Sequence, residues 1–154
     1  MFRVTFNGED SLQYSIIPVR RPSIPAPEER VEEIEIPGRD GVLTISDGIY
    51  KQIVIPVEFN FLSRPDEWAA TYRGAKKWIT GNGKLVFSDD AGCFYKVLYC
   101  KITDTERTSR KIGIFTAEFT CDPYTYYFDG EKEIQVSGEI YNPGAQCCPV
   151  YRIT

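Results

Sequence analysis

The sequence predicts a mainly β domain with one α-helix. Three observations support this: a ten-residue segment in which apolar and other residues alternate, one stripe of apolar residues at helical spacing, and β-rich segments after it. Of the 154 residues, 42% are apolar and 14% are aromatic, which suffices for one core of ordinary size and leaves little for a second. We therefore expect most of the chain to be folded.

The first elements to be predicted are an extended arm and a hairpin. Three prolines in residues 20–27 disfavour regular structure there. Residues 28–40 hold six carboxylates and two arginines, and the turn at 37–41 separates short apolar runs, so a hairpin with a weakly apolar face is expected. Two interpretations remain open: an interface or lumen surface, or acidic strands at a sheet edge that only discourage aggregation.

The clearest strand prediction covers residues 52–61. Apolar side chains occupy the odd positions from Ile53 to Phe61, and Gln52, Glu58 and Asn60 occupy even ones, which is the two-residue period of a strand with one buried face. Pro56 lies on the other face and cannot donate a hydrogen bond. We therefore expect an edge or a bulge at that position.

The helix is predicted to follow directly. Residues 63–66 (Ser-Arg-Pro-Asp) supply a candidate N-cap, an early proline and a capping-box carboxylate. The apolar stripe then consists of Trp68, Tyr72, Ala75 and Ile79. Residues 81–83 (Gly-Asn-Gly) are expected to end the helix, and its stripe is expected to pack on a sheet.

After the helix the pattern returns to β. Residues 84–87 predict a short strand, 89–92 a turn, 93–102 a long strand and 103–110 a polar loop. Residues 111–121 predict a further strand, antiparallel to the one before it, because the connection is short. Its expected buried face consists of Phe115, Ala117, Phe119 and Cys121.

Several kinds of chemistry are excluded by composition. The absence of histidine removes Ser-His-Asp and Cys-His catalysis and His-ligated metals from this chain. A pI near 5.0 and scattered cations argue against nucleic-acid binding, and no apolar run is long enough for a membrane span or signal peptide. We therefore expect a non-enzymatic protein, made in the cytosol, with no catalytic residue, no cofactor and no metal.

The five cysteines are read as reduced, mostly buried side chains: Cys93, Cys100, Cys121, Cys147 and Cys148. Their number is odd, no Cys-x-x-Cys spacing occurs, and the adjacent pair does not readily form a disulfide. Zinc ligation by four thiolates is the weaker alternative.

Three short segments could suggest further activities. Residues 81–84 (Gly-Asn-Gly-Lys) lack the spacing of a phosphate loop and are read as a helix stop and turn. Asp89 and Asp90 are read as turn residues, against a paired-carboxylate or calcium site. Residues 124–128 hold four aromatics, which could form a sugar-stacking platform, a protein contact or the end of a small core.

Five segments together resemble the N-terminal domain of the distal tail protein family of long non-contractile-tailed bacteriophages. They are 37–41 (Pro-Gly-Arg-Asp-Gly), 58–61 (Glu-Phe-Asn-Phe), the helix around Trp68, 83–90 (Gly-Lys-Leu-Val-Phe-Ser-Asp-Asp) and 119–124 (Phe-Thr-Cys-Asp-Pro-Tyr). The resemblance covers about residues 1–130. Each motif is short, and the specificity comes from their order and spacing.

The resemblance implies a tail-tube-like β-sandwich or split barrel with a flanking helix and an extended hairpin that reaches a neighbouring subunit. It further implies a homo-hexameric ring at the virion tail tip, assembled in the host cytoplasm. The implied partners are the tail tube protein, a tail-tip fibre or tail-associated lysin, and a receptor-binding protein. DNA would pass through an acidic lumen without specific binding, and no membrane would be contacted.

Two further expectations follow. Family members usually continue into a galectin-like second domain, and residues 131–154 resemble a linker and its first strands. Because this segment cannot form its own core, we expect it to pair with the first domain or with a neighbouring subunit. The candidate interface residues are Glu32, Glu33, Glu35, Arg39, Asp40, Tyr124, Tyr126 and Tyr127.

Overall fold

A computed structural model describes residues 1–103, 105–135, 138–145, 147, 148 and 150–152. Within these ranges the strands are β1 (Val4–Phe6), β2 (Glu9–Asp10), β3 (Ile16–Pro18), β4 (Glu29–Glu35), β5 (Val42–Tyr50), β6 (Ile53–Leu62), β7 (Gly83–Phe87), β8 (Cys93–Ile102) and β9 (Ile112–Tyr127). The helix α1 is Trp68–Trp78, and two 3₁₀ turns lie at Ser11–Tyr14 and Phe128–Glu131. The mainly β prediction with one α-helix is confirmed.

Seven of these strands form a curled sheet in the order β2-β1-β7-β8-β9-β6-β3, with antiparallel neighbours throughout. The two end strands, β2 and β3, are joined by only five residues, which span at most about 18 Å. The ends of a flat seven-stranded sheet would lie about 29 Å apart, at about 4.8 Å per strand. The sheet therefore curls into a split barrel whose gap is bridged by the turn Ser11–Tyr14.

The core lies inside this barrel and is closed by α1. Side chains from facing strands meet there, as in the edge contact of Phe6 on β1 with Phe119 on β9 at 5.6 Å between ring centroids. Trp78 of α1 contacts Phe6 at 6.4 Å and Phe59 of β6 at 6.0 Å. The predicted stripe of α1 faces the core: Ala75 and Ile79 are buried, and Trp68 and Tyr72 pack against it half-exposed.

The strand predicted at 52–61 is confirmed as β6. Its odd positions are buried, and its register with β9 runs without a break. The carbonyl of Glu58 accepts a hydrogen bond from the backbone N–H of Val19 at 2.9 Å. The backbone groups of Glu58, and of every second residue of β6 counted from it, therefore point towards β3 and away from β9. Pro56 is one of these residues, and its missing N–H falls where β3 has already ended. The predicted edge is therefore present, without a bulge.

The start of the helix differs from the prediction. The first residue of α1 is Trp68, and the capping position is taken by Glu67, whose side chain makes no capping hydrogen bond. Ser63, the predicted N-cap, donates its backbone N–H to Lys111 at 2.9 Å and so extends the β6–β9 ladder. A sheet partner that local sequence does not reveal therefore delays the helix by one turn.

The last strand is longer than predicted. Strand β9 continues past residue 121 to Tyr127, and its register with β8 shifts between Val97 and Tyr95, where two extra residues lie on β9. The predicted buried face from Phe115 to Cys121 is confirmed. The aromatic segment that follows is therefore part of a bulged strand.

The proline-rich arm packs against the barrel. Residues 21–28 form no regular structure, as predicted, yet Pro22 is buried and Ile24 packs against the core. Arg21 forms an ion pair with Asp89 in the β7–β8 turn, and Arg20 lies 4.0 Å from Glu58. The arm is thus attached to two sides of the barrel before it enters the hairpin.

The described residues of 132–152 form no strand and are exposed, with an ion pair of 2.7 Å between Arg152 and Glu133. Pairing of this segment with the first domain is not observed among them, and pairing with a neighbouring subunit stays a prediction. The division at residue 130 and the first strands of a second domain also stay predictions. Residues 136, 137, 146, 149, 153 and 154 lie outside the described residues.

Candidate assembly surfaces

Residues 28–51, here called the acidic hairpin, form a two-stranded sheet of their own. Strands β4 and β5 pair antiparallel from Glu35 opposite Val42 to Glu29 opposite Tyr50, with a shift between Val31 and Glu29. All residues of both strands are exposed. The hairpin is separate from the seven-stranded sheet, and both of its strands are edge strands, so its interpretations as an interface or as a protected sheet edge both stay predictions.

The register divides the hairpin into two different faces. Residues directly opposite each other share a face, so Ile34 lies beside Leu43, and Ile45 lies opposite Glu32. This face is here called the apolar face: Ile34, Ile36, Leu43 and Ile45, with exposed fractions from 37% to 47%. Glu33 and Glu35 lie on the other face, opposite Thr44 and Val42. The predicted weakly apolar face is thus present, and the three candidate glutamates are split between both faces.

Arg39 and Asp40 lie at the tip of the hairpin and are exposed. The backbone N–H of Arg39 donates to Ile36 at 3.1 Å, and Gly38 and Gly41 adopt φ of 80° and 82°, a conformation that favours glycine. Seven residues of β4 extend about 23 Å. The tip therefore lies far from the point where the hairpin leaves the barrel.

The base of the hairpin is fastened to itself and to β9. The backbone of Lys51 donates to Glu28 at 2.8 Å, and its ammonium lies 3.3 Å from the Glu28 carboxylate. Tyr50 meets Tyr124 edge-on, with ring centroids 6.2 Å apart. Tyr124, a predicted interface residue, thus contributes to holding the hairpin base.

The four aromatic side chains of 124–128 do not form one platform. Tyr124 is 43% exposed at the β9 bulge, and Tyr127 is 57% exposed. Tyr126 stacks on Phe94 at 5.5 Å and donates its hydroxyl to Asp122 at 3.2 Å. Consecutive strand residues face opposite sides, so Tyr126 and Tyr127 cannot share a surface. The sugar-stacking hypothesis therefore loses the common exposed face that it needs.

Lys84 closes a small aromatic cluster where the chain leaves the barrel. Its ammonium lies 4.5 Å from the ring centroid of Phe94 and 5.4 Å from that of Phe128, and it pairs with Glu131. Phe128 is 4.9 Å from Phe94. The lysine that superficially suggested a phosphate loop therefore anchors the C-terminal turn by charge and by cation–π contact.

The turn predicted at residues 89–92 is confirmed, whereas α1 already ends at Trp78 and only residues 81 and 82 form the bend that leads into β7. Asn7 fixes residues 81–84: its amide donates to Asn82 at 3.1 Å and accepts from the backbone of Lys84 at 3.0 Å. The Asn7 side chain occupies the space that a side chain at Gly83 would need. Asp89 and Asp90 lie exposed in the β7–β8 turn.

A second exposed surface was not predicted from the sequence. Leu62 on β6 and Ile112 on β9 are paired side by side on the outside of the barrel, 68% and 40% exposed. Arg107, Arg110 and Lys111, in the segment that leads into β9, are also exposed, and Arg107 lies over the ring of Trp68.

The described residues contain no group of three Cys, Asp or Glu side chains arranged to hold a metal ion. Cys121 is buried and Cys100 half-buried, whereas Cys147 and Cys148 are exposed, which corrects the expectation for the last two. Burial raises the pKa of Cys100 to about 11 and that of Cys121 to about 12.

This contrast predicts a labelling order. At pH 8, iodoacetamide is expected to modify Cys147 and Cys148 in the native protein at least about tenfold faster than Cys100 and Cys121, because the thiolate is the reactive form and a raised pKa suppresses it. Mass spectrometry of tryptic peptides over time measures this. In guanidinium chloride the difference should vanish, and equal native rates would contradict the placement of these thiols.

The search for relatives gave a structural match. No family model and no curated protein matches the chain. Among solved structures the chain is similar to the Dit protein (gp 19.1) of SPP1, described as a paradigm of the hub adsorption apparatus of phages that infect Gram-positive hosts. The TM-score is 0.63 at 17% identity, over 82% of this chain and 52% of that one.

This chain therefore spans about half the length of the SPP1 protein. At this identity the likeness establishes a shared fold, a split β-barrel with one helix, and no more. Within the described part of the chain, no helix has the length and apolar character of a membrane span.

Proposed function

We propose that the chain is a non-enzymatic structural component of a bacteriophage or prophage-derived tail tip. In this proposal, six copies form a ring that connects the tail tube to the tail-tip and receptor-binding apparatus. The partners are further copies of the chain, the tail tube protein, and a tail-tip fibre or tail-associated lysin, with a receptor-binding protein beyond them. DNA passes through the ring without specific binding.

One observation supports this proposal most strongly: a barrel fold shared with a phage hub protein carries a projecting hairpin whose apolar face is uncovered. Uncovered apolar faces bordered by polar residues are typical of protein contacts. The hairpin contributes nothing to the barrel core, so its apolar residues gain burial only through another protein. A structural role explains why they are present.

The charge of the hairpin fits either a ring contact or a lumen. Carboxylates facing a channel repel phosphates and keep DNA from adhering, over roughly 10 Å at 0.1 M salt. Glu33 and Glu35, on the face opposite the apolar one, are the residues best placed for this role.

A tail tube or tail terminator protein of the same fold is the alternative. Proteins of these two classes also form rings, and this chain would then occupy a different level of the tail. A glycan-binding role for residues 124–128 is not proposed, because Tyr126 is stacked on Phe94 while Tyr127 faces the opposite side.

The test is to measure the mass of the protein alone in solution and in complex with its partners. Native mass spectrometry with the tube protein and tail-tip partner of the same phage is expected to give a hexamer. Electron microscopy with an antibody to this chain should mark the last ring of the tail tube. Labelling along the whole tube would favour the tube protein, and a protein that stays monomeric with both partners would refute the ring.

A further inference from the structure

We propose that Lys84 is a positioning residue, which fixes the turn Phe128–Glu131 to the outside of the barrel and so sets the direction in which the chain leaves it. A fixed direction keeps the residues after 131 in one orientation relative to the barrel in every copy. This role does not depend on the proposed ring. Five residues, here called the exit cluster, provide it: Lys84, Phe94, Tyr126, Phe128 and Glu131.

The exit cluster lies outside the barrel core. Phe94 is 3% exposed, yet it is not a member of the buried cluster that fills the barrel. Its neighbour Tyr95 packs against that cluster, and consecutive strand residues point to opposite sides of a sheet, so Phe94 points outward. Tyr126 stacks on Phe94 with ring centroids 5.5 Å apart, and the ring of Phe128 lies 4.9 Å away. The outer surface of β8 thus carries a small apolar cluster of its own.

Backbone pairing with the barrel ends where the turn begins. The last residue of β9, Tyr127, lies opposite Cys93 of β8. The N–H of Phe128 then donates to the Gly92 carbonyl at 3.1 Å. Among the described residues, no backbone hydrogen bond joins residues 129–131 to the barrel. Side chains must therefore hold the rest of the turn in place.

Lys84 is the side chain that contacts both the barrel and the turn. Its ammonium lies 4.5 Å from the ring centroid of Phe94 on β8 and 5.4 Å from that of Phe128, the first residue of the turn. The same ammonium pairs with the carboxylate of Glu131, the last residue of the turn. Cation–π attraction and charge pairing therefore act through one side chain on both ends of the turn.

The backbone of Lys84 is itself fixed. Its N–H donates to the side-chain carbonyl of Asn7 at 3.0 Å, and its carbonyl accepts from the backbone N–H of Asn7, also at 3.0 Å. Only the side chain of Lys84 therefore has to be ordered when it binds the turn, which keeps the entropic cost of the contact low. The contact is thus built on a rigid part of the barrel.

Lys96 provides a comparison within the same surface. It lies directly opposite Lys84 across the β7–β8 pair, so both side chains are on the same face of the sheet. The Lys96 ammonium pairs with Asp122 at 3.1 Å, on β9 and before that strand reaches the turn. Of these two neighbouring lysines, Lys84 alone has its carboxylate partner in the turn. Removing each charge in turn separates a specific role of Lys84 from a general role of charge on this surface.

The test measures how often the turn opens in the full-length chain. The first readout is hydrogen exchange at the Phe128 amide, followed by mass spectrometry with fragmentation to single residues. The second is the rate of tryptic cleavage after Lys132, which requires the preceding turn to unfold locally. Lys84→Met keeps most of the side-chain length and removes the charge. It is expected to speed both processes about tenfold, because cation–π attraction and the ion pair are lost together.

Two further variants show whether the charge of Lys84 is the cause. Lys84→Arg keeps the charge and is expected to restore wild-type rates to within about twofold, since guanidinium groups also bind aromatic rings and carboxylates. The matched control, Lys96→Met, removes a charge from the same face and should leave both rates at the wild-type value. Thermal melting should stay close to wild type in all three variants, because the exit cluster lies outside the barrel core.

Three results would overturn the assignment of Lys84. Wild-type exchange and cleavage in Lys84→Met would show that this lysine does not hold the turn. Equal acceleration in Lys96→Met would show a general loosening of β7 and β8. Rates in Lys84→Arg as fast as those in Lys84→Met would show that the charge does not fix the turn. Each result is read within a single chain, so it leaves the proposed ring unaffected.

Discussion

Replacement of residues 29–50 by an Asn-Gly turn is expected to give a folded chain that no longer assembles. The excised strands are exposed throughout and add nothing to the barrel core, and Glu28 already lies against Lys51, with a backbone hydrogen bond of 2.8 Å. The chain ends left by the excision are therefore close enough for a two-residue turn. Thermal melting followed by circular dichroism should shift by a few degrees, while sedimentation should show monomer under conditions where wild type associates.

The matched control for this excision keeps both strands and changes only the tip, with Arg39→Ala and Asp40→Ala. If the apolar face carries the contact, this control should retain most of the association. If the tip carries it, the control should behave like the excision. Assembly of the excised chain at wild-type strength would show that the hairpin is not an assembly element, and unfolding of that chain would show that the barrel depends on it.

Individual strands and the helix could be predicted wherever apolar residues repeat at a regular spacing, because that spacing shows that one face of the element is buried. Alternation identified β6 and the first part of β9, and the spacing of Trp68, Tyr72 and Ala75 identified α1. The closure of the barrel could not be predicted in this way. It depends on β1, β2 and β3, which are three, two and three residues long and too short for any period to show.

The candidate surfaces were predictable to different degrees. The acidic run with its turn predicted the hairpin, whereas only the register of β4 with β5 separates Glu32 from Glu33 and Glu35. The exposed pair of Leu62 and Ile112 joins residues fifty positions apart in sequence, and it exists only through the β6–β9 register. The sequence could not decide between the three roles considered for residues 124–128, because a bulge and the strand pleat, which local sequence does not show, place their side chains on different surfaces.

The apolar stripe predicted for α1 omitted Trp78, the side chain that connects the helix to the rest of the barrel. Trp78 is 5% exposed, and it stacks on Tyr14 at 5.5 Å while meeting Phe6 and Phe59 at their edges. It thus joins α1 to the 3₁₀ turn that bridges the barrel gap and to strands on both sides. Tyr14 in turn donates to Glu9 at 2.7 Å, which holds that bridge against β2.

Trp78→Ala is therefore expected to destabilise the domain by about 3–5 kcal/mol, through lost burial and the cavity left behind. For a domain of this size, that corresponds to a fall in Tm of about 10–15 °C. Thermal and urea unfolding followed by circular dichroism measure both quantities. The matched control is Tyr99→Ala on the outside of β8, where the side chain is 56% exposed and the expected loss is below about 1 kcal/mol. If both variants lost the same stability, α1 could not be the element that seals the split barrel, and the gap between β2 and β3 would have to be closed by backbone pairing alone.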